Sequence, residues 1–106
     1  MSVITRQSES MRDLIASNRP ALLEVLSRYG ASRPRMFGSV ARGDADSSSD
    51  LDILVDLEDG AGNELLRLAG IGEELSELLG VQVDVVSAAL LREPVSATAL
   101  RDAVAV

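Results

Sequence analysis

Two aspartates two residues apart, Asp50 and Asp52, follow a Gly38-Ser39 pair across ten intervening residues, and a third, Asp84, stands among valines at 81, 83, 85 and 86. On a β-strand, residues two apart project from one face, so Asp50 and Asp52 would present their carboxylates side by side. Paired carboxylates repel, and one resists ionising unless a cation lies between them. A lone carboxylate in an apolar strand is costly to bury, so Asp84 also calls for a partner. If the two strands are neighbours, the three side chains converge with a formal charge of −3. That charge suits divalent metal, and two magnesium ions roughly 3.5–4 Å apart would fit it. Upstream, Gly38 permits close backbone approach and Ser39 offers a hydroxyl. A helical turn starting there would aim free N–H groups at an anion, which makes strand, Gly-Ser, helix a phosphate-binding arrangement. Arg42 follows one turn later, and Gly43 lets the chain turn away.

Composition narrows the chemistry further. The 106 residues carry a net charge of −7, all ten basic residues are Arg, and Lys, His and Cys are absent. Thiolate and imidazole metal sites, disulfides and a Lys phosphate clamp are therefore excluded, leaving carboxylate, hydroxyl, guanidinium and backbone. Such a donor set favours hard cations. An acidic surface repels polyphosphate, so general nucleic-acid binding is not expected, and an anionic substrate would need metal or local Arg. The first residues lack the apolar core of a signal peptide and no apolar run reaches membrane-spanning length, so a cytoplasmic protein without a membrane anchor is expected.

These residues need elements to position them. Apolar spacing predicts helix from Ser8 to Gly30, interrupted at Asn18-Arg19-Pro20, with Pro20 suited to a first turn. Arg33 to Phe37 reads as a strand. The stretch after it is a short helical turn and then a loop rich in Gly, Ser and Asp, in which Asp44 and Asp46 read as solvated. Asp50 to Leu57 is the clearest strand and a central one. Asn63 caps a helix over Glu64 to Leu79, whose stripe is Leu65, Leu68, Ile71, Leu75, Leu78 and Leu79, and Gly80 ends it. Val81 to Val86 is a third strand, Ser87 to Leu91 a helical turn, and Ala97 to Val104 a last helix. The order indicates one α/β (α+β) domain over residues 1–106, with a small mixed sheet of about three strands flanked by helices. Tyr29 reads as half-buried at a helix end, and Glu73, Glu74 and Glu77 as a solvated face.

The string "FGSVARGDADSSSDLDILVD", with Gly-Ser, ten residues and Asp-x-Asp, resembles the signature of the DNA polymerase β-like nucleotidyltransferases. It is similar in particular to their minimal MNT branch, the antitoxins paired with HEPN-domain ribonucleases, and the likeness runs over nearly the whole chain. The resemblance implies the nucleotidyltransferase fold and transfer of AMP from ATP with magnesium, the acceptor in the antitoxin branch being a Tyr hydroxyl of the cognate HEPN toxin. It further implies that Gly38 and Ser39 hold the triphosphate and that Asp50 and Asp52 bind both metals. Asp84 would complete the coordination of the first metal and help activate the attacking hydroxyl. Arg42 is the candidate for supplementing the metals where Lys is missing. An assembly with the toxin is expected. A non-catalytic antitoxin acting by steric capture, or a transferase for a small-molecule or RNA acceptor, stands as the alternative.

Overall fold

A computed structural model describes residues 5–38, 40, 43, 45–46, 50–60, 62–88 and 104–106. Helix α1 (Arg6–Ser17) starts at Thr5, whose hydroxyl accepts the Ser8 N–H at 3.2 Å, and α2 (Arg19–Arg28) follows with Pro20 in its first turn. This is the interrupted helical run that the Asn18-Arg19-Pro20 break predicts. Strand β1 (Ala31–Phe37) leads into the Gly-Ser segment, and β2 (Leu51–Leu57) returns antiparallel beside it. Helix α3 (Glu64–Leu79) has the predicted limits, with the Asn63 side chain accepting the Leu66 N–H and Gly80 closing it at φ 72°, a left-handed conformation cheap only for glycine. It then feeds β3 (Val83–Ser87), and β4 is the two-residue Val104–Ala105.

The sheet order is β3-β2-β1-β4, with β2 and β3 parallel and the other pairs antiparallel. Parallel neighbours need a long crossover, and α3 is that crossover. Strand β2 is central as expected. Leu51, Ile53 and Val55 are fully buried on the face that meets the helices, and Leu54 is fully buried on the other. Leu22, Leu26, Ile71 and Leu75 cover the first of these faces and join Leu51, Ile53 and Val55 in one apolar cluster, from which Leu54 is separate. Leu75→Ala should cost about 2–5 kcal/mol by opening a cavity in that cluster. Chemical denaturation monitored by circular dichroism checks this, and a loss below about 1 kcal/mol would show that the layer collapses around the gap.

Four expectations need correction. Val104 lies in strand β4, not in a helix from Ala97, because its backbone pairs with Met36; residues 97–103 lie outside the described part. Ser87 closes β3 in register with Val55, so the expected helical turn begins one residue later, at Ala88, and residues 89–91 lie outside the described part. Strand β3 begins at Val83, and Val81 precedes it. Leu65 is 71% exposed and Leu66 74%, so the apolar stripe of α3 starts only at Leu68.

A buried arginine locks the α2–β1 turn to α3. The Arg67 guanidinium donates to the carbonyls of Tyr29, Gly30 and Glu58 at 2.8, 2.9 and 3.0 Å. The Gly30 carbonyl also accepts the Glu58 N–H at 2.8 Å, so the turn and the end of β2 meet at one point.

Candidate active site

Register assembles the site. Asp52 lies opposite Phe37 across β1–β2 and opposite Asp84 across β2–β3. Residues in register on neighbouring parallel strands point to one face about 5 Å apart. The Asp52 and Asp84 carboxylates therefore share the face away from buried Leu51 and Ile53. Asp52 is half-buried at this junction, while Asp84 is exposed. That exposure corrects the premise that Asp84 is a buried acid: β3 has a described neighbour on one side only, and this end of the open face admits water. Asp50 is exposed just before β2, two residues from Asp52, and the adjacent Leu51 N–H donates to the Gln82 carbonyl at 3.0 Å. The starts of β2 and β3 are thereby clamped together.

Gly38 ends β1 with φ 71°, and a Cβ built on it would lie well inside 3.0 Å of Asp52 Oδ2. The Gly38 backbone is therefore packed directly against the Asp52 carboxylate, a fit that only glycine permits. Ser39, Arg42 and Asp44, the other residues expected in this loop, lie outside the described residues, whereas Asp46 is exposed, as expected of a loop residue.

The segment after Gly38 is braced by residues that neither motif nor spacing singles out. Arg12 donates from Nε and Nη2 to the carbonyl of buried Val40 at 3.2 and 2.9 Å. The Thr5 N–H donates to the Gly43 carbonyl, the Thr5 hydroxyl to the Ala45 carbonyl, and the Ala45 N–H to Ser8 Oγ. Helix α1 and its cap thus hold Val40, Gly43 and Ala45, while Asp52 of β2 lies against Gly38. Ser8 carried a signal: it continues the buried stripe of Met11 and Ile15, where a polar side chain needs a partner. Arg12 carried none, because its partner is a carbonyl 28 residues away.

Glu74 departs from the solvated-face expectation. It accepts a hydrogen bond from the Tyr29 hydroxyl and pairs with Arg28 at 2.9 Å, whereas Glu73 and Glu77 are exposed. The hydrogen bond to Glu74 raises the Tyr29 pKa above its usual value and lowers that of Glu74. Tyr29 is also packed against Gly70, its hydroxyl oxygen 2.9 Å from where a Cβ there would sit. A phenol so held is a structural tie between α2 and α3 rather than a reactive acceptor.

The oxygen-only donor set of Asp50, Asp52 and Asp84 fits a hard divalent cation in kind, and the Asp52–Asp84 register fits it in placement. The expected convergence of all three is not found: among the described residues no group of three acidic side chains stands close enough to hold a metal ion, and the register brings together Asp52 and Asp84. A cleft of about 520 Å³ between α3 and β3 borders Asp84, with Gly72, Ser76 and Val83 in its walls. None of the described helices is long and apolar enough to cross a membrane.

Comparison with known proteins agrees with this geometry. Residues 20–105 match the nucleotidyltransferase domain family. The chain is 36% identical over 96 residues to the protein adenylyltransferase MntA of Thermococcus cleftensis, spanning 91% of this chain and 92% of that protein. It is 41% identical over 66 residues to a protein of Methanocaldococcus jannaschii named as a protein adenylyltransferase, covering 62% of this chain and 69% of the other. A solved structure described as a minimal nucleotidyltransferase superposes with a TM-score of 0.71 at 43% identity, over 92% of this chain and 93% of that one. The Gly-ended strand laid against Asp52, with Asp84 in register beside it, falls within the matched residues, and the chain belongs to the nucleotidyltransferase domain family.

Proposed function

We propose that this protein is a magnesium-dependent protein adenylyltransferase that moves AMP from ATP onto a hydroxyl of a partner protein, a Tyr of a cognate HEPN-type toxin, and so acts as its antitoxin. The observation that carries the reading is the Asp52–Asp84 register beside the left-handed Gly38. Relatives named as protein adenylyltransferases support the choice of AMP and of a protein acceptor.

Asp50 and Asp52 would hold the metal ions, which supply charge neutralisation for the phosphates and acidify the attacking hydroxyl. Asp84, open to solvent beside the cleft, would complete that donor set and take up the hydroxyl proton. The acceptor oxygen bonds to the α-phosphorus as the bond to pyrophosphate breaks in line. Gly38 brings main-chain N–H groups to the triphosphate, and Ser39 and Arg42 add a hydroxyl and a cation. The brace from Arg12, Thr5 and Ser8 fixes that segment before substrate arrives, which lowers the cost of ordering it.

The test is incubation with magnesium, labelled ATP and the product of the gene adjacent to its own, using wild type and Asp50→Ala/Asp52→Ala. Label on the partner with wild type only is the expected result. Partner neutralisation that survives the double substitution without label would replace catalysis by steric capture, and label on RNA or a small molecule would change the acceptor. Magnesium with a non-hydrolysable ATP analogue should also raise the melting temperature, by the equivalent of about 2.7 kcal/mol at 100 times the dissociation constant. A flat melting curve across millimolar ligand would count against a working site.

A further inference from the structure

Away from the catalytic face, a cleft of about 400 Å³ opens at the β4 edge of the sheet, lined by Arg19, Leu23, Arg33, Pro34, Arg35 and Val106. Among the described residues, every ionisable side chain in that lining is an arginine, in a chain whose net charge is −7. Arg33 and Arg35 both pair with a single carboxylate, Asp56, at 2.5 and 2.8 Å. One negative charge cannot balance two guanidiniums, so among the described residues positive charge is left over at the rim. The backbone also pushes it outward. Arg33 adopts φ 50° at the irregularity between Ser32 and Arg35, and its side chain is 80% exposed while that of Asp56 is 22%. A non-glycine residue in this conformation is uncommon and gathers where a structure over-determines it. Across the cleft, the Arg19 Nε–H reaches the Val106 carbonyl at 3.4 Å, and the Val106 N–H donates to the Pro34 carbonyl.

We propose that this cleft docks an acidic segment of a protein partner that also carries aliphatic side chains. Leu23, Pro34 and Val106 offer an apolar floor for the aliphatic groups, and the arginines meet the carboxylates. A nucleic-acid backbone has no aliphatic group to fill that floor and must approach through the field of an acidic molecule. The position suits docking. Strand β4 is the far edge of the sheet from β3 and Asp84, and Arg33 precedes Gly38 by five residues, roughly 16 Å of strand. A partner held here leaves the aspartates accessible. Docking at this edge does not depend on the transfer activity.

Fluorescence anisotropy tests the proposal with a labelled peptide of repeated Glu-Glu-Leu units, a Glu-Glu-Ser counterpart and a single-stranded RNA of equal length. The variants are Arg19→Gln and Arg33→Asn, the latter chosen because Asn tolerates the left-handed backbone. The leucine peptide should bind saturably, more tightly than the serine peptide, and lose roughly fivefold or more in affinity in each variant. High salt should weaken it. The proposal is overturned by no binding at millimolar peptide, by binding that ignores both substitutions, by equal affinity for the serine peptide, or by arginine-dependent binding of the RNA alone.

Discussion

Asp52→Asn lowers AMP transfer by roughly a thousandfold or more at saturating ATP and magnesium, the equivalent of about 4 kcal/mol of lost transition-state stabilisation. The expectation follows from position. Asp52 is the central acid of the site, with the Gly38 backbone against its carboxylate and Asp84 in register on the next strand. Asn preserves size and shape but replaces one carboxylate oxygen with an amide that repels a cation. Asp84→Asn separates the roles: handling of the acceptor proton is worth roughly 10²–10⁴-fold, so a smaller loss is expected there. Its stability should be unchanged or rise by a few tenths of a kcal/mol, about the size of a relieved like-charge pair across two strands. Initial rates of label transfer, read beside melting temperatures, distinguish the two. Wild-type rates in Asp52→Asn would remove this carboxylate from the chemistry.

Gly38→Ala damages both fold and activity, and a second glycine supplies the control. At φ 71° an alanine costs about 1–2 kcal/mol from its left-handed backbone alone. The new Cβ would also fall on Asp52 Oδ2, so either the loop or the carboxylate must move. A displacement of about 1 Å at a reacting centre costs on the order of a hundredfold in rate. Gly60 has a similar φ of 76° with nothing within 4 Å of its hypothetical Cβ. Gly60→Ala should therefore show a similar loss of stability with full activity. Equal activity in the two variants would mean that the contact between Gly38 and Asp52 does not matter to catalysis.

Much of the architecture was legible in residue order because its signals are local. The cap at Asn63, the stop at Gly80, the break before Pro20 and the apolar density of 51–57, from Leu, Ile and Val, each act within a turn or a strand length. Elements that depend on distant partners were read less well. Val104 carries no local strand signal that outweighs the helical alternation around it, and it becomes strand by pairing with Met36. Leu65 fits the periodic stripe of α3 yet faces solvent, because periodicity marks a face without showing how far along the helix that face is covered.

The same division runs through the site. Residue types and spacing alone determined that any metal chemistry must rest on carboxylates, and that Asp50, Asp52 and Asp84 were the acids to watch behind Gly38, since the absence of His, Cys and Lys is a property of composition. Only the tertiary structure decided that Asp52 and Asp84 share a register, that Asp84 faces water, and that Gly38 leaves room for one carboxylate oxygen and no side chain. It also recruited Thr5, Ser8 and Arg12 to hold the loop. The physical reason is distance along the chain. Propensity and periodicity are written in neighbouring residues, whereas strand register and long-range hydrogen bonds are chosen by the packing of the whole core.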